Sequence, residues 1–354
     1  MLHHLAVIYG ADTPFYYVEP AYSQTLAVLV LVIFQLLNQA YFMGFLFLLS
    51  GYFTPSSYER KGVRTFLKDR LIRLGIPLLV FVFVLNPATI YIGVPHIQAS
   101  LLAKAGITLP LTWQDYFGFV GPGPLWFVAM LLAFDFSYAA WRVAMRDELA
   151  HSKSDSVLPS YRLMVVFVLG LALASYLVRI VVPLGTYVLS FPTLAYLPQY
   201  FSFFIIGVIA YRRNWLTAVT SRMEKVGFGA ALVVTLILFP IALQGGEAFL
   251  GGGYWQSAVY ALWDSTFALG MVLGLTTLFR RRFDYPSRLG RLLSRQSYTV
   301  FIIHAPIIVL LALAIQGINL EQLLKFGLAA VVAVPLCFCA AYLVRKIPLA
   351  DRVL

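Results

Sequence analysis

The chain has 354 residues, 61% of them hydrophobic and 12% charged, with a mean hydropathy of +0.83, which excludes an ordinary soluble domain and makes lipid the expected solvent. The net charge of +11 would suit a nucleic-acid partner. The basic residues, however, sit in short segments between apolar runs, as in the cytoplasmic loops of membrane proteins, so no nucleic-acid partner is expected.

The opening residues, Met1-Leu-His-His-Leu-Ala-Val-Ile-Tyr-Gly10, read as the last turns of a helix. Nine apolar stretches follow, near 26–50, 74–94, 123–141, 162–182, 196–211, 226–243, 257–279, 298–317 and 324–344, each about the ~20 residues a transmembrane helix needs. Pro77, Pro124, Trp126, Tyr211 and Tyr254 stand at their ends, as suits helix termini and interfacial aromatic belts. The expected class is all-α: a polytopic integral membrane helical bundle, with residues 1–354 forming one membrane domain. Cys337 and Cys339 fall inside the last run and read as packing residues. No spacing suits a metal, and no bound cofactor is expected.

Orientation follows from the cations. Segment 58–73 carries Arg60, Lys61, Arg64, Lys68, Arg70 and Arg73, whereas 95–122 has only Lys104. The alternation then repeats through Arg142, Arg146, Lys153 and Arg162, through Arg212, Arg213, Arg222 and Lys225, through the arginines of 280–295, and through Arg345, Lys346 and Arg352. Of the 26 basic residues all but Lys104, Arg179 and Lys325 fall on one side, which predicts a cytoplasmic C-terminus. Nine crossings would then leave Met1 outside, with no cleavable leader before the first stretch. The expectation is therefore a further span upstream of Met1, ten in all with both ends cytoplasmic. The genomic sequence upstream tests this, and an immediate in-frame stop refutes it.

Ionisable groups within or bordering a membrane are costly and are candidates for function. They are His3, His4, Asp135, Asp264 and His304. Each can equally be a satisfied hydrogen-bonding group between helices. A polytopic bundle with such groups can be a secondary transporter or flippase, although no internal repeat of the kind common in those folds is seen.

Five passages, in order, carry a resemblance: Phe45-Leu-Phe-Leu-Leu-Ser-Gly-Tyr-Phe53, Arg64-Thr-Phe-Leu-Lys-Asp-Arg-Leu-Ile-Arg-Leu-Gly-Ile-Pro-Leu-Leu79, Pro124-Leu-Trp-Phe127, Phe203-Phe-Ile-Ile-Gly-Val-Ile-Ala-Tyr211 and Ser297-Tyr-Thr-Val-Phe-Ile-Ile-His-Ala-Pro306. Together they make nearly the whole chain resemble the acyltransferase-3 family of membrane-bound acyltransferases. That resemblance implies transfer of an acyl group from cytoplasmic acyl-coenzyme A, acetyl- or succinyl-CoA, to a hydroxyl of an extracytoplasmic glycan or small molecule, in the bacterial cytoplasmic (inner) membrane. It also implies an Arg-x10-His pattern in the first span and an Arg-x-x-Arg pair in the first cytoplasmic loop. Arg70-Leu-Ile-Arg73 supplies the pair, while the Arg of the first pattern would fall upstream of Met1.

The resemblance makes His4, five residues before Tyr9, the preferred catalytic histidine, with His3 second. An imidazole can take the proton of an attacking alcohol or form an acyl-imidazole, and the sequence does not choose between these. Arg70 and Arg73 would bind the phosphates of the donor. Ser50, Tyr52, Trp126, Asp264 and His304 are further candidate site residues, Asp264 and His304 as cavity lining, and Gly51 is expected to serve close packing or a turn. One difficulty accompanies the assignment: His4 is expected toward the outer face and the Arg pair inside, across a hydrocarbon core about 30 Å thick. An extended pantetheine arm would have to reach inward.

Overall fold

A computed structural model describes residues 1–10, 15–20, 26–104, 106–145, 158–188, 190–192, 194–284, 287–348 and 350–354. Arg146, Lys153 and the side chain of Lys104 lie outside the described residues. In chain order the helices are α1 (Leu2–Gly10), α2 (Leu26–Arg70), α3 (Ile76–Val80), α4 (Asn86–Gly93), α5 (Ala99–Lys104), α6 (Trp126–Ala144), α7 (Tyr161–Val181), α8 (Leu197–Arg212), α9 (Trp215–Ala218), α10 (Ser221–Leu243), α11 (Trp255–Arg282), α12 (Arg288–Ala314), α13 (Gln322–Val344) and α14 (Ala350–Val353). Among the described residues the sole β-type pairing is an isolated bridge between Val188 and Phe191.

Local chemistry places the boundaries. Ser160, Thr220 and Ser287 accept hydrogen bonds from the amides of Leu163, Met223 and Gly290, and the Glu321 carboxylate accepts from Leu323 and Leu324. Each of these caps satisfies amides that a helix start leaves unpaired. Pro77 and Pro87 stand at the second positions of α3 and α4, each directly after a π-turn, Leu71–Gly75 and Phe81–Leu85, within one continuous helical run.

Eight helical runs among the described residues are long and apolar enough to cross a membrane, where the sequence leads one to expect nine. The difference lies at the start, because stretches 26–50 and 74–94 fall on one run of 71 residues, Leu26–His96. A straight helix of that length would extend about 107 Å, several bilayers thick. Gly62 interrupts it with φ 72° and ψ 164°, outside the helical region and open to a residue without a side chain. Large apolar side chains remain exposed along the spans, among them Val166 on α7, Leu236 on α10 and Val331 on α13. In water such faces would associate, and in a bilayer they meet acyl chains.

The chain divides into two compact units, with boundaries inside α2, at the end of α2, inside α6 and between α11 and α12. The first comprises Met1–Asn38, Leu71–Ala129 and Pro286–Leu354, and the second Gln39–Arg70 and Met130–Tyr285.

The first unit pins its opening segment with polar contacts. Gln35 Nε2 donates to the Ala6 carbonyl at 2.9 Å, and the Glu19 amide donates to the Ile8 carbonyl at 2.8 Å. The Glu19 carboxylate is buried and takes Lys325 Nζ at 2.5 Å and the Tyr17 hydroxyl at 2.8 Å.

The second unit packs through small residues. A Cβ on Gly51 would strike the Phe204 carbonyl, and one on Gly207 would strike the Leu48 carbonyl, so α2 and α8 approach backbone to backbone. The same holds for Gly227 of α10 and Gly270 of α11. Leu48, Phe203, Leu171, Ala268 and Val272 form a buried cluster beside that crossing. Near the C-terminal end of α7, Arg179 Nη2 donates to Oδ2 of Asp264 on α11 at 2.5 Å, with both side chains essentially sealed from solvent. The Arg179 guanidinium also lies 4.8 Å from the ring centre of Tyr196 and 5.5 Å from that of Tyr260.

Two of the three cations that break the one-sided charge pattern are therefore buried ion-pair partners: Arg179 with Asp264 and Lys325 with Glu19.

Candidate active site

The first unit brings two of the candidate histidines into contact although 300 residues separate them: His4 Nδ1 lies 2.8 Å from His304 Nε2. The ring centroids are 5.0 Å apart and the planes 7° from parallel. A nitrogen-to-nitrogen distance so much shorter than the centroid separation means that the rings meet edge to edge, nearly in one plane, where nitrogen lone pairs and N–H bonds point. On its other side His304 Nδ1 lies 2.7 Å from the Phe301 carbonyl oxygen. His4 is half-buried and stacks on Phe15 at 4.9 Å, while His304 is buried. His3 meets His4 edge-on at 5.5 Å.

Sequence passages with no evident connection converge on this pair. Phe127, closing Pro124–Phe127, packs edge-on against Phe301 at 6.0 Å, and Phe301 supplies the carbonyl beneath His304. Trp126 is buried in the same turn. Phe15 meets Tyr16 edge-on at 4.7 Å; the Tyr16 hydroxyl donates to Asn86 Oδ1, and Asn86 Nδ2 donates to the Phe119 carbonyl at 2.7 Å. Gly123 (φ 43°) leaves the space that Tyr16 and Asn86 occupy. Tyr16 and Asn86 were not identifiable from the sequence, because a tyrosine and an asparagine 70 residues apart carry no local signal of pairing.

The contact also sets His4 against a position on α12. It stands level with His304 on α12, only nine residues along the helix from Arg295, or about 14 Å at 1.5 Å per residue. Around Arg295 the chain gathers further cations. The Tyr298 hydroxyl donates to the Arg73 carbonyl at 2.6 Å, and the Arg345 guanidinium donates to the Arg295 carbonyl. Arg73 and Arg295 are exposed, so this end of the unit offers guanidinium groups from three separate segments. Arg295 and Arg345 had read only as topological charges.

The remaining candidates belong to the second unit. Arg70 Nε pairs with Asp135 Oδ2 at 2.9 Å, and the Thr54 hydroxyl donates to the other carboxylate oxygen at 2.9 Å. Asp135 is fully buried, while the Arg70 side chain as a whole is 24% exposed. Tyr52 packs edge-on to Tyr211 at 5.6 Å, and the Ser50 carbonyl accepts from Thr54 at 2.9 Å. With Gly51 against Phe204, the Ser50-Gly51-Tyr52 passage packs α2 on α8. Asp264, expected to line a cavity, is instead 1% exposed and held by Arg179.

Residues 1–342 match the acyltransferase domain that defines the acyltransferase-3 family. The chain belongs to the acyltransferase-3 family. Among curated proteins it is similar to glucans biosynthesis protein C of Escherichia coli (strain K12), at 24% identity over 319 residues, covering 86% of this chain and 77% of that protein. The same protein from strains K12 / DH10B and K12 / MC4100 / BW2952 matches equally. No solved structure matches. Family membership and the apolar helices agree on a multi-pass membrane acyltransferase.

Proposed function

We infer that this acyltransferase moves an acyl group from cytoplasmic acyl-coenzyme A to a hydroxyl of an extracytoplasmic glycan, with His4 as the general base. The observation that carries the reading is the in-plane contact between His4 and buried His304, which orients one imidazole and leaves its other edge for a substrate. An alcohol is a weak nucleophile near neutral pH, and a positioned imidazole taking its proton as the thioester is attacked accelerates acyl transfer by typically 10²–10⁴-fold. The name of the relative, glucans biosynthesis protein C, favours a glucan among the possible acceptors.

The donor's phosphates would bind at the cationic end of the first unit, with Arg73, Arg295 and Arg345 as ligands; Arg70, the other member of the Arg-x-x-Arg pair, stands three residues before Arg73 in sequence. From Arg295 the pantetheine arm would have to run about 14 Å along α12 to reach His304, far less than a whole membrane core. The C-terminus would then be cytoplasmic, in the inner membrane of a bacterium.

Membranes holding the wild-type protein, supplied with radiolabelled acetyl- or succinyl-coenzyme A and extracted glucan, should transfer label, and His4→Ala should abolish the transfer. Equal transfer by His4→Ala refutes the base assignment. Substrate uptake without acylation would favour a transporter instead.

A further inference from the structure

The tautomer of the base follows from its partners. A backbone carbonyl can only accept, so the 2.7 Å contact with Phe301 places the proton of His304 on Nδ1. His304 is 2% exposed, and no carboxylate pairs with it among the described residues, so a second proton would leave a buried charge uncompensated. Its Nε2 therefore carries a lone pair. The His4 Nδ1 facing it at 2.8 Å must be the donor, which leaves the lone pair of His4 on Nε2. Among the described residues nothing hydrogen-bonds that nitrogen, and His4 is only partly buried as a residue.

The geometry points to His304 as the residue that fixes the tautomer and ring plane of His4, making His4 Nε2 the nitrogen that takes the acceptor's proton. This rests on the acyl-transfer reading above and deepens it. In the step, the acceptor hydroxyl gives its proton to His4 Nε2 as its oxygen forms the new bond to the thioester carbonyl carbon. The carbon–sulfur bond then breaks, and the coenzyme A thiolate leaves and takes up that proton. Throughout, His4 Nδ1–H stays donated to His304, so the transient imidazolium keeps an acceptor. His304 touches neither substrate; it is a positioning residue, fixed in turn by Phe301, which Phe127 packs against.

The test compares His304→Leu with His304→Gln. The Gln amide oxygen can accept from His4 Nδ1–H where His304 Nε2 did, whereas Leu cannot. His304→Leu is expected to lower kcat on the order of 10²–10⁴-fold, the scale seen when a catalytic histidine loses the partner that fixes its tautomer. KM for donor and acceptor should stay within a few-fold, and Gln should recover most of the loss. Equal losses in both variants, or a loss confined to KM, overturn the assignment.

Histidine-selective ¹⁵N magnetic resonance of the wild type gives a second measurement that needs no variant to fold. The His4 resonances should show a protonated Nδ1 and an unprotonated Nε2, and the opposite tautomer overturns the proposal. An active His4→Ala would sink the underlying base assignment, while the tautomer measurement would still decide whether His304 orients His4.

Discussion

Asp264 provides a sharp discrimination between a structural and a catalytic polar group. Its carboxylate lies 2.5 Å from Arg179 Nη2, with side-chain exposures of 1% and 0%. At that distance the gross attraction is roughly 7 kcal/mol even at an effective dielectric of about 20. Stripping both ions of water costs several kcal/mol each, so the net contribution of the intact pair is small. Removing one partner is different, because Arg179 would be left charged and buried, at a cost of roughly 3–5 kcal/mol.

Asp264→Asn should therefore lower the melting temperature sharply in detergent, as read by the loss of monodisperse protein on heating. The double variant Arg179→Met with Asp264→Leu should recover most of that loss, and with it acyl transfer in proportion to folded protein. The reasoning fails if Asp264→Asn melts like the wild type yet transfers no acyl group. It fails equally if the double variant is no more stable than the single one, since a buried pair demands strong coupling in the cycle.

Two further outcomes follow from the geometry. Gly207→Leu should prevent accumulation of folded protein, since any Cβ there meets the Leu48 carbonyl, whereas Gly229→Ala on α10, with nothing within 4 Å of the added Cβ, should accumulate normally on immunoblots of membrane fractions. Arg73→Ala and Arg345→Ala should each raise KM for acyl-coenzyme A about tenfold, the scale of one lost charged contact, with kcat nearly unchanged in initial-rate kinetics; a fall in kcat alone would remove these residues from the donor site.

Much of this protein was legible in the sequence because a bilayer imposes constraints that act along the chain. Every span must be apolar over about 20 residues, its polar backbone must close into helix, and the loops that stay inside keep their cations. Those demands are local, so 26–50, 162–182 and 324–344 announce themselves without any tertiary information. The ordered motifs likewise identified the family, and Arg179 and Lys325 stood out as exceptions. The sequence could not say why they are tolerated. Only the fold showed that Asp264 and Glu19, 85 and 306 residues away, neutralise them.

The site divides along the same line. His4 and His304 could be named as costly ionisable groups, each with an innocent explanation. That they share a hydrogen bond, that Phe301 fixes one and thereby the other, and that Phe127 and Tyr16 buttress the arrangement depend on helix packing across hundreds of residues. Side-chain pairing between helices follows from rotation and depth of packing, and neither leaves a periodic trace in the chain. Composition and periodicity determined that this protein lives in a membrane; which nitrogen faces which was decided only when α12 came to lie beside α1.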